Sequence, residues 1–245
     1  MIPKKIHYCW FGFGDMPEVA LNCIESWKKH LSDYEFVLWN EDTFDINLND
    51  YVREAYQKKM YAFVTDYVRL LALYSYGGVY MDTDIEVLRS LDNFLSHRAF
   101  TGCQEKSICV TGIIASEKSH PWIKNMLNYY NNRHFIITDG SLDTTPNTTM
   151  ITELTTNLYD WKPCDKYQVL KDDLHIYETM IFCAKDWRSG KINVNDKTYA
   201  IHHFNGSWLS EKDRKRSRQR KVLAKIIGKE WLERLIDLKN LIIKK

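Results

Sequence analysis

A chain of 245 residues, 44% apolar and 27% charged, has the composition of a soluble globular protein and the length for one sizeable α/β domain with or without a small appendage. Six cysteines occur without a C-x-x-C pair and mostly inside apolar runs, which excludes a zinc ribbon and a disulfide framework and fits reduced thiols in the cytoplasm. The net charge of +2 hides an asymmetry: residues 212–245 hold 13 Lys/Arg against 4 Asp/Glu, so the excess positive charge is all in the tail.

No run of about 18 apolar residues exists to span a bilayer, and Met1 to His7 lacks the apolar core of a secretory signal. The expected location is the cytoplasm, or the inner face of the plasma membrane as a peripheral protein. From the N-terminus, Ile6–Phe11 is predicted as a buried strand closed by Gly12 and Gly14. Pro17–His30 follows as an amphipathic helix with proline at its start, then Glu35–Trp39 as a second strand. This β-α-β opening implies a parallel sheet. Tyr51–Lys59 and Tyr61–Tyr76 are predicted helices, the second ended by Gly77-Gly78 because glycine takes the left-handed helix-terminating conformation without strain. Val79–Met81 is a short buried strand, and Phe100–Gly102 and Thr111–Ala115 are further strands. Pro121–Tyr130 and Thr148–Leu158 are predicted helices, and Ala200–Phe204 is a late strand ending at the Asn205-Gly206 turn. From Glu211 onward the pattern is basic helix.

The segment Tyr61–Glu86 carries most of the chemical information. Apolar residues surround almost the whole circumference of its helix, yet Asp66 and Arg69 lie one turn apart on one face. Charges are seldom buried without partners. The pair reads either as a structural ion pair or as a polar stripe facing a ligand. Asp82-Thr83-Asp84, the one strict Asp-x-Asp in the chain, follows a buried strand at the edge where open α/β sheets bind ligands. Two hard carboxylates there suit Mn²⁺ or Mg²⁺, and a metal so placed would neutralise a departing diphosphate. A lone Asp-x-Asp also reads as a solvated acidic turn. In His202-His203 only one imidazole can face such a site, because successive strand residues point to opposite faces. Trp208 can donate its indole N–H to a phosphate or glycosidic oxygen, and Trp10, at the end of the first strand, can stack on a base. Both tryptophans equally suit packing.

Three separated stretches together resemble the family 32 glycosyltransferases: Ile2-Pro3-Lys4-Lys5-Ile6-His7-Tyr8-Cys9-Trp10-Phe11-Gly12, then Tyr61–Glu86, then His203-Phe204-Asn205-Gly206-Ser207-Trp208. That family includes bacterial capsule and lipopolysaccharide enzymes and yeast-type initiating α-1,6-mannosyltransferases, and is similar to the glucosylating domains of clostridial toxins. The resemblance implies a GT-A fold: one Rossmann-like α/β domain with a mostly parallel sheet over residues 1–209, followed by a basic amphipathic helical extension over 210–245. It implies retaining, metal-dependent transfer of a hexose from a nucleotide-sugar donor to a saccharide or lipid-linked saccharide, as in surface polysaccharide synthesis. UDP-galactose or UDP-glucose is the first expectation and GDP-mannose the next. By this similarity Asp82, Asp84 and His203 bind Mn²⁺ or Mg²⁺, Asp82 also holds ribose and donor sugar, and Asp66 and Arg69 hold donor-sugar hydroxyls. Trp10 stacks on the base, and Ser207 and Trp208 contact the diphosphate, placing Trp208 beside Asp82 and Asp84 in catalysis. The family's Gly-rich turn near the acceptor corresponds here to Thr144–Thr149, which has no glycine.

The tail of residues 212–245 sets Leu223, Ile226, Ile227, Trp231, Leu235, Leu238, Leu241 and Ile242 at helical spacing among its basic residues. It is expected either to dock on the domain or to bind an anionic membrane surface, and no nucleic acid is expected. Two rival functions remain. An Asp-x-Asp phosphohydrolase would place its motif after the first strand with Thr or Val two residues on, where Glu86 stands here. A non-catalytic saccharide-binding module would need no nucleotide.

Overall fold

The computed structural model describes residues 1–206; Ser207, Trp208 and the basic extension lie outside the described residues. Its centre is a seven-stranded sheet in the order β2-β1-β3-β6-β5-β8-β7. The strands are β1 (Lys5–Cys9), β2 (Glu35–Trp39), β3 (Gly78–Met81), β5 (Ala99–Gly102), β6 (Ile113–Ser116), β7 (Gln168–Leu170) and β8 (Leu174–Tyr177). Only β6 and β7 run against the others, so the α/β architecture with a mostly parallel sheet expected from the sequence is present. A separate antiparallel ribbon joins β4 (Ile85–Val87) to β9 (Ala200–His202).

The period-two alternation of each strand divides its side chains between two cores. Tyr80 and Ile114 point to one side of the sheet, where α2 (Asp50–Gln57), α3 (Tyr61–Tyr76), α4 (Pro121–Asn128) and α5 (Asn147–Tyr159) pack. Val79, Met81, Ile113 and Ala115 point to the other, against α1 (Glu18–His30), the β4–β9 ribbon and the short α6 (Thr179–Phe182). α1 buries Ala20, Cys23 and Trp27, and the Trp27 indole donates to the Ile85 carbonyl at 2.6 Å. That bond ties the ribbon to the first crossover. Among the described residues no helix is long and apolar enough to cross a membrane.

Two glycines make the entry to β3 possible. Gly77 ends α3 with φ 67° and ψ −178°, a region essentially confined to glycine. Gly78 has φ 114°, and a Cβ there would stand 2.7 Å from the Lys5 carbonyl oxygen, so its missing side chain lets β3 lie beside β1. His7 locks the same junction. The Trp39 indole donates to its Nδ1 at 3.2 Å, which leaves Nε2 as the donor to the Gly77 carbonyl at 2.8 Å. Burial holds the His7 imidazole below its ordinary pKa, consistent with that neutral form.

The long elements fall where the sequence predicts them, α3 to the residue. β4, β7, β8 and α6 are not predicted. β4 matters most among these, since its pairing with β9 positions the late histidines.

Candidate active site

α3 is largely buried, and a charge on such a helix must find its partner inside. Arg69 and Asp66 are 7% and 8% exposed, and they pair at 2.9 Å. The guanidinium also reaches Asp82 at 3.4 Å and lies 4.6 Å over the Tyr80 ring. It donates to the Thr65 carbonyl and hydroxyl oxygens at 3.2 and 3.3 Å. Both sequence readings of the pair therefore meet in one arrangement: an internal ion pair that continues into the Asp-x-Asp element. Burial pushes the Asp66 carboxyl up to about 6, against the pull of Arg69. Asp66 Oδ1 also accepts from the Asn147 amide at 2.7 Å.

β3 delivers Asp82 and Asp84 to the carboxyl-terminal edge of the sheet. Tyr80, two residues before Asp82 and on the same face, donates its hydroxyl to Asp82 Oδ1 at 3.0 Å. The Asp82 amide donates to the Gly112 carbonyl at 2.9 Å, and a Cβ on Gly112 would come within 2.9 Å of Asp82 Oδ2. Gly112 thus forms a cradle for this carboxylate. Asp84 Oδ2 accepts the Asn205 amide at 2.7 Å, and the His203 amide donates to the Asp84 carbonyl at 2.9 Å.

The pairing of β4 with β9 sets Ile85 opposite His202 and decides which imidazole faces the carboxylates. His202 is buried, with Nε2 3.3 Å from Asp84 Oδ1 and Nδ1 3.2 Å from the Thr111 hydroxyl. His203, which the resemblance assigns to the metal, is turned the other way: its Nε2 meets Glu86 Oε2 at 2.8 Å. The geometry brings the His202 imidazole to the carboxylates and the His203 imidazole to Glu86, because successive residues point to opposite faces.

Ligand atoms of Asp82, Asp84 and His202 all lie within 4.8 Å of one another. Burial disfavours charge on both partners of the Asp84–His202 pair, and each overcomes it for the other. The Asp84 carboxyl is held below the usual carboxylate range and the His202 imidazole well above its own. A cationic imidazole here occupies the position of positive charge between acids. Two carboxylates and one imidazole are a fitting donor set for a divalent ion such as Mn²⁺, which would take the imidazole as a neutral ligand and release its proton.

Trp10 follows β1 on the strand adjacent to β3, at the same sheet edge. Its amide donates to the Trp39 carbonyl at 2.9 Å, and its indole N–H to the Gly14 carbonyl at 2.5 Å. The loop is held by Glu41, which accepts from the Gly12 amide at 2.6 Å and the Tyr56 hydroxyl at 2.8 Å. Gly12 has φ 99°, and a side chain there would run into the Tyr61 ring at the start of α3. One edge thus gathers Trp10, Arg69, Asp82, Asp84 and His202. Asn147, Thr111, Gly112 and Tyr80 were not singled out by motif. Only Tyr80 has a local signal, its two-residue offset from Asp82. Thr111 and Gly112 approach through the β3–β6 pairing, and Asn147 from the first turn of α5, across long separations.

Residues 17–101 match the family described as glycosyltransferase sugar-binding region containing DXD motif. Inositol phosphoceramide mannosyltransferase 3 of Schizosaccharomyces pombe is 30% identical over 142 residues, covering 55% of this chain and 40% of that protein. Inositol phosphoceramide mannosyltransferase 1 of the same yeast is 29% identical over 147 residues, covering 55% of this chain and 45% of that one. The chain therefore spans less than half the length of these curated relatives. A solved glycosyltransferase involved in the glycosylation of the major capsid of PBCV-1 is 10% identical, with TM-score 0.42 over 87% of this chain and 98% of that one. The matched stretch contains Asp66, Arg69, Asp82 and Asp84 on the elements described above, and it is over this segment that the chain is similar to the DXD-containing glycosyltransferases.

Proposed function

We propose that the protein is a retaining, metal-dependent hexosyltransferase that uses a nucleotide-sugar donor. The observation that carries this reading is the convergence of Asp82, Asp84 and His202 ligand atoms within 4.8 Å, with Arg69 linking Asp82 to Asp66 behind them. Asp82, Asp84 and His202 would hold Mn²⁺ or Mg²⁺, whose chemistry is to neutralise the charge that develops on the leaving diphosphate. Arg69 and Asp66 bind and orient the donor-sugar hydroxyls, the guanidinium fixed by Tyr80 and Thr65 so that little reorganisation accompanies the reaction. Asn147 holds Asp66 in place. Trp10 stacks on the base. Ser207 and Trp208 contact the diphosphate. In the transfer, the bond from sugar C1 to the phosphate oxygen breaks and its electron pair leaves with the diphosphate. The acceptor hydroxyl adds to C1 on the same face, and its proton passes to a phosphate oxygen. No enzyme nucleophile is required.

The names of the two yeast relatives move GDP-mannose ahead of the UDP-hexoses that the sequence resemblance puts first. A saccharide or lipid-linked saccharide is the proposed acceptor, and surface polysaccharide synthesis the proposed role. Binding of residues 212–245 to an anionic inner membrane face belongs to the same proposal and is tested by liposome flotation of the full chain against a chain ending at residue 211.

The test is donor cleavage with Mn²⁺ for GDP-mannose, UDP-glucose and UDP-galactose, repeated after chelation and after readdition of metal. Cleavage of one donor, lost on chelation and restored by Mn²⁺, is expected. Cleavage of an aryl phosphate instead would favour the phosphohydrolase, and saccharide binding without any nucleotide effect would favour the binding module.

A further inference from the structure

The described residues place a second feature at the ligand edge of the sheet. β5 runs in the same direction as β3, because the β6 strand between them is antiparallel to both. The chain leaving β5 at Gly102 therefore emerges at the same edge as Asp82. There it borders a cavity of about 310 Å³, lined among others by Gln104, Glu105, Asp165, Cys183, Trp187 and Asn193. That volume is at the lower end of the range for small-molecule sites, roughly 300 Å³ upward.

The cavity wall and the metal-side histidine are one piece of structure. Cys183 follows directly on α6, which packs against β9, the strand that carries His202. Ala184 accepts from the Asn193 amide at 2.9 Å, and the Lys185 ammonium donates to the His203 carbonyl at 2.9 Å. Trp10 and Arg69 approach the carboxylates from β1 and α3, whereas this cavity approaches from the β5 and α6 side.

Trp187 is the distinctive group. It is 39% exposed, yet it is pinned. Its indole N–H donates to Glu105 Oε2 at 3.2 Å, and the Arg188 guanidinium, itself paired with Glu105, lies 4.4 Å over its ring. A large ring fixed along one edge and covered on one face presents the remainder as a flat apolar plate. Around it stand carbonyl and carboxylate acceptors. Asp165 accepts from the Thr179 amide and hydroxyl through Oδ1, at 2.7 and 2.8 Å, and a carboxylate has further lone pairs to offer. Flat indole inside, hydroxyl acceptors at the rim: this suits a pyranose, whose C–H face is apolar and whose periphery is hydroxyl donors.

We infer that this cavity is the acceptor subsite, taking an uncharged hexopyranose that stacks on Trp187 and donates hydroxyls to Asp165 and its neighbours. The inference rests on the transferase reading, whose donor side it completes.

Saturation-transfer NMR tests it on the full chain with Mn²⁺ and GDP present. The probes are methyl α-mannopyranoside, methyl α-glucopyranoside and methyl α-galactopyranoside. At least one probe is expected to bind the wild type, with Kd at least about tenfold weaker in Trp187→Ala and a smaller loss in Trp187→Phe, which keeps an aromatic plate. Asp165→Asn retains the oxygen that caps α6, so it serves if Trp187→Ala does not fold, and it is expected to weaken binding severalfold. Binding by no probe, or undiminished binding in the folded variants, overturns the proposal. So does a nucleotide held through Trp187 in place of a sugar. Trp187-dependent hexoside binding without cleavage of any donor would sink the transferase reading and leave a saccharide site here. Donor cleavage with Trp187-independent hexoside binding would do the reverse.

Discussion

Two clusters among the described residues bring three metal-ligating side chains together within 4.8 Å: Asp82, Asp84 and His202 at the carboxyl edge of β3, and His97, Asp173 and His175 beside β5 and β8. They differ in what already occupies the ligand atoms. In the second cluster the two imidazoles stack at 3.5 Å with planes 16° apart, so their in-plane lone pairs run nearly parallel and do not converge. Each ring is also engaged by a tyrosine hydroxyl, His97 Nε2 by Tyr177 at 2.7 Å and His175 Nδ1 by Tyr167 at 2.6 Å. His175 Nε2 takes Asp173 at 2.9 Å. In the first cluster the neighbours hold the carboxylates from behind, through Tyr80, Arg69 and the Asn205 amide, and the Asp84–His202 contact is longer, 3.3 Å. Proximity of ligating residues and outer partners are shared; the parallel stacking that turns two imidazoles away from a common point belongs to the second cluster.

The largest effect that separates the clusters is expected from Asp84→Asn. It removes one carboxylate charge while keeping the shape, and donor cleavage with Mn²⁺ should fall by on the order of 10³-fold or more with the melting temperature little changed. Turnover near the wild-type rate would remove the metal from the first cluster. Next, His202→Ala should weaken Mn²⁺ activation at least about 100-fold, and His203→Ala far less, read as the Mn²⁺ concentration for half-maximal activity. The opposite order would restore the histidine assignment that the resemblance implies. Gly112→Ala should follow: its Cβ must displace Asp82 or Ile85, and a shift of that kind is expected to lower turnover by about 10- to 100-fold without removing any functional group.

The contrast also marks what the sequence makes legible. Tyr61–Glu86 is contiguous: one largely buried helix, a double glycine, a buried strand, then two acids. Its periodicity and punctuation predict α3, β3 and the edge at which Asp82 and Asp84 stand, and the structure has them there. The choice between His202 and His203 is different. It depends on strand parity, and parity depends on register with β4, three residues without a pattern of their own. Asn147 reaches Asp66, and Gly112 reaches Asp82, through tertiary pairing that no local window contains. The His97–His175 stack is equally silent in sequence, its members being 78 residues apart.

The smallest effect tests the second cluster itself. If it is a packed hydrogen-bond network with no metal role, His175→Ala should leave the Mn²⁺ requirement for donor cleavage where it stands and act on stability alone. The substitution opens a buried space, strips Tyr167 of its acceptor and separates Asp173 from its imidazole. A lost buried partner costs about 1–3 kcal/mol, which in a domain of this size lowers Tm by roughly 2–4 °C per kcal/mol. A melting curve and a Zn²⁺ or Mn²⁺ titration on the same sample read both arms. A Tm that Zn²⁺ raises in the wild type and not in His175→Ala would show that the stacked rings part to bind an ion, and orientation in the unliganded state would then cease to distinguish the two clusters.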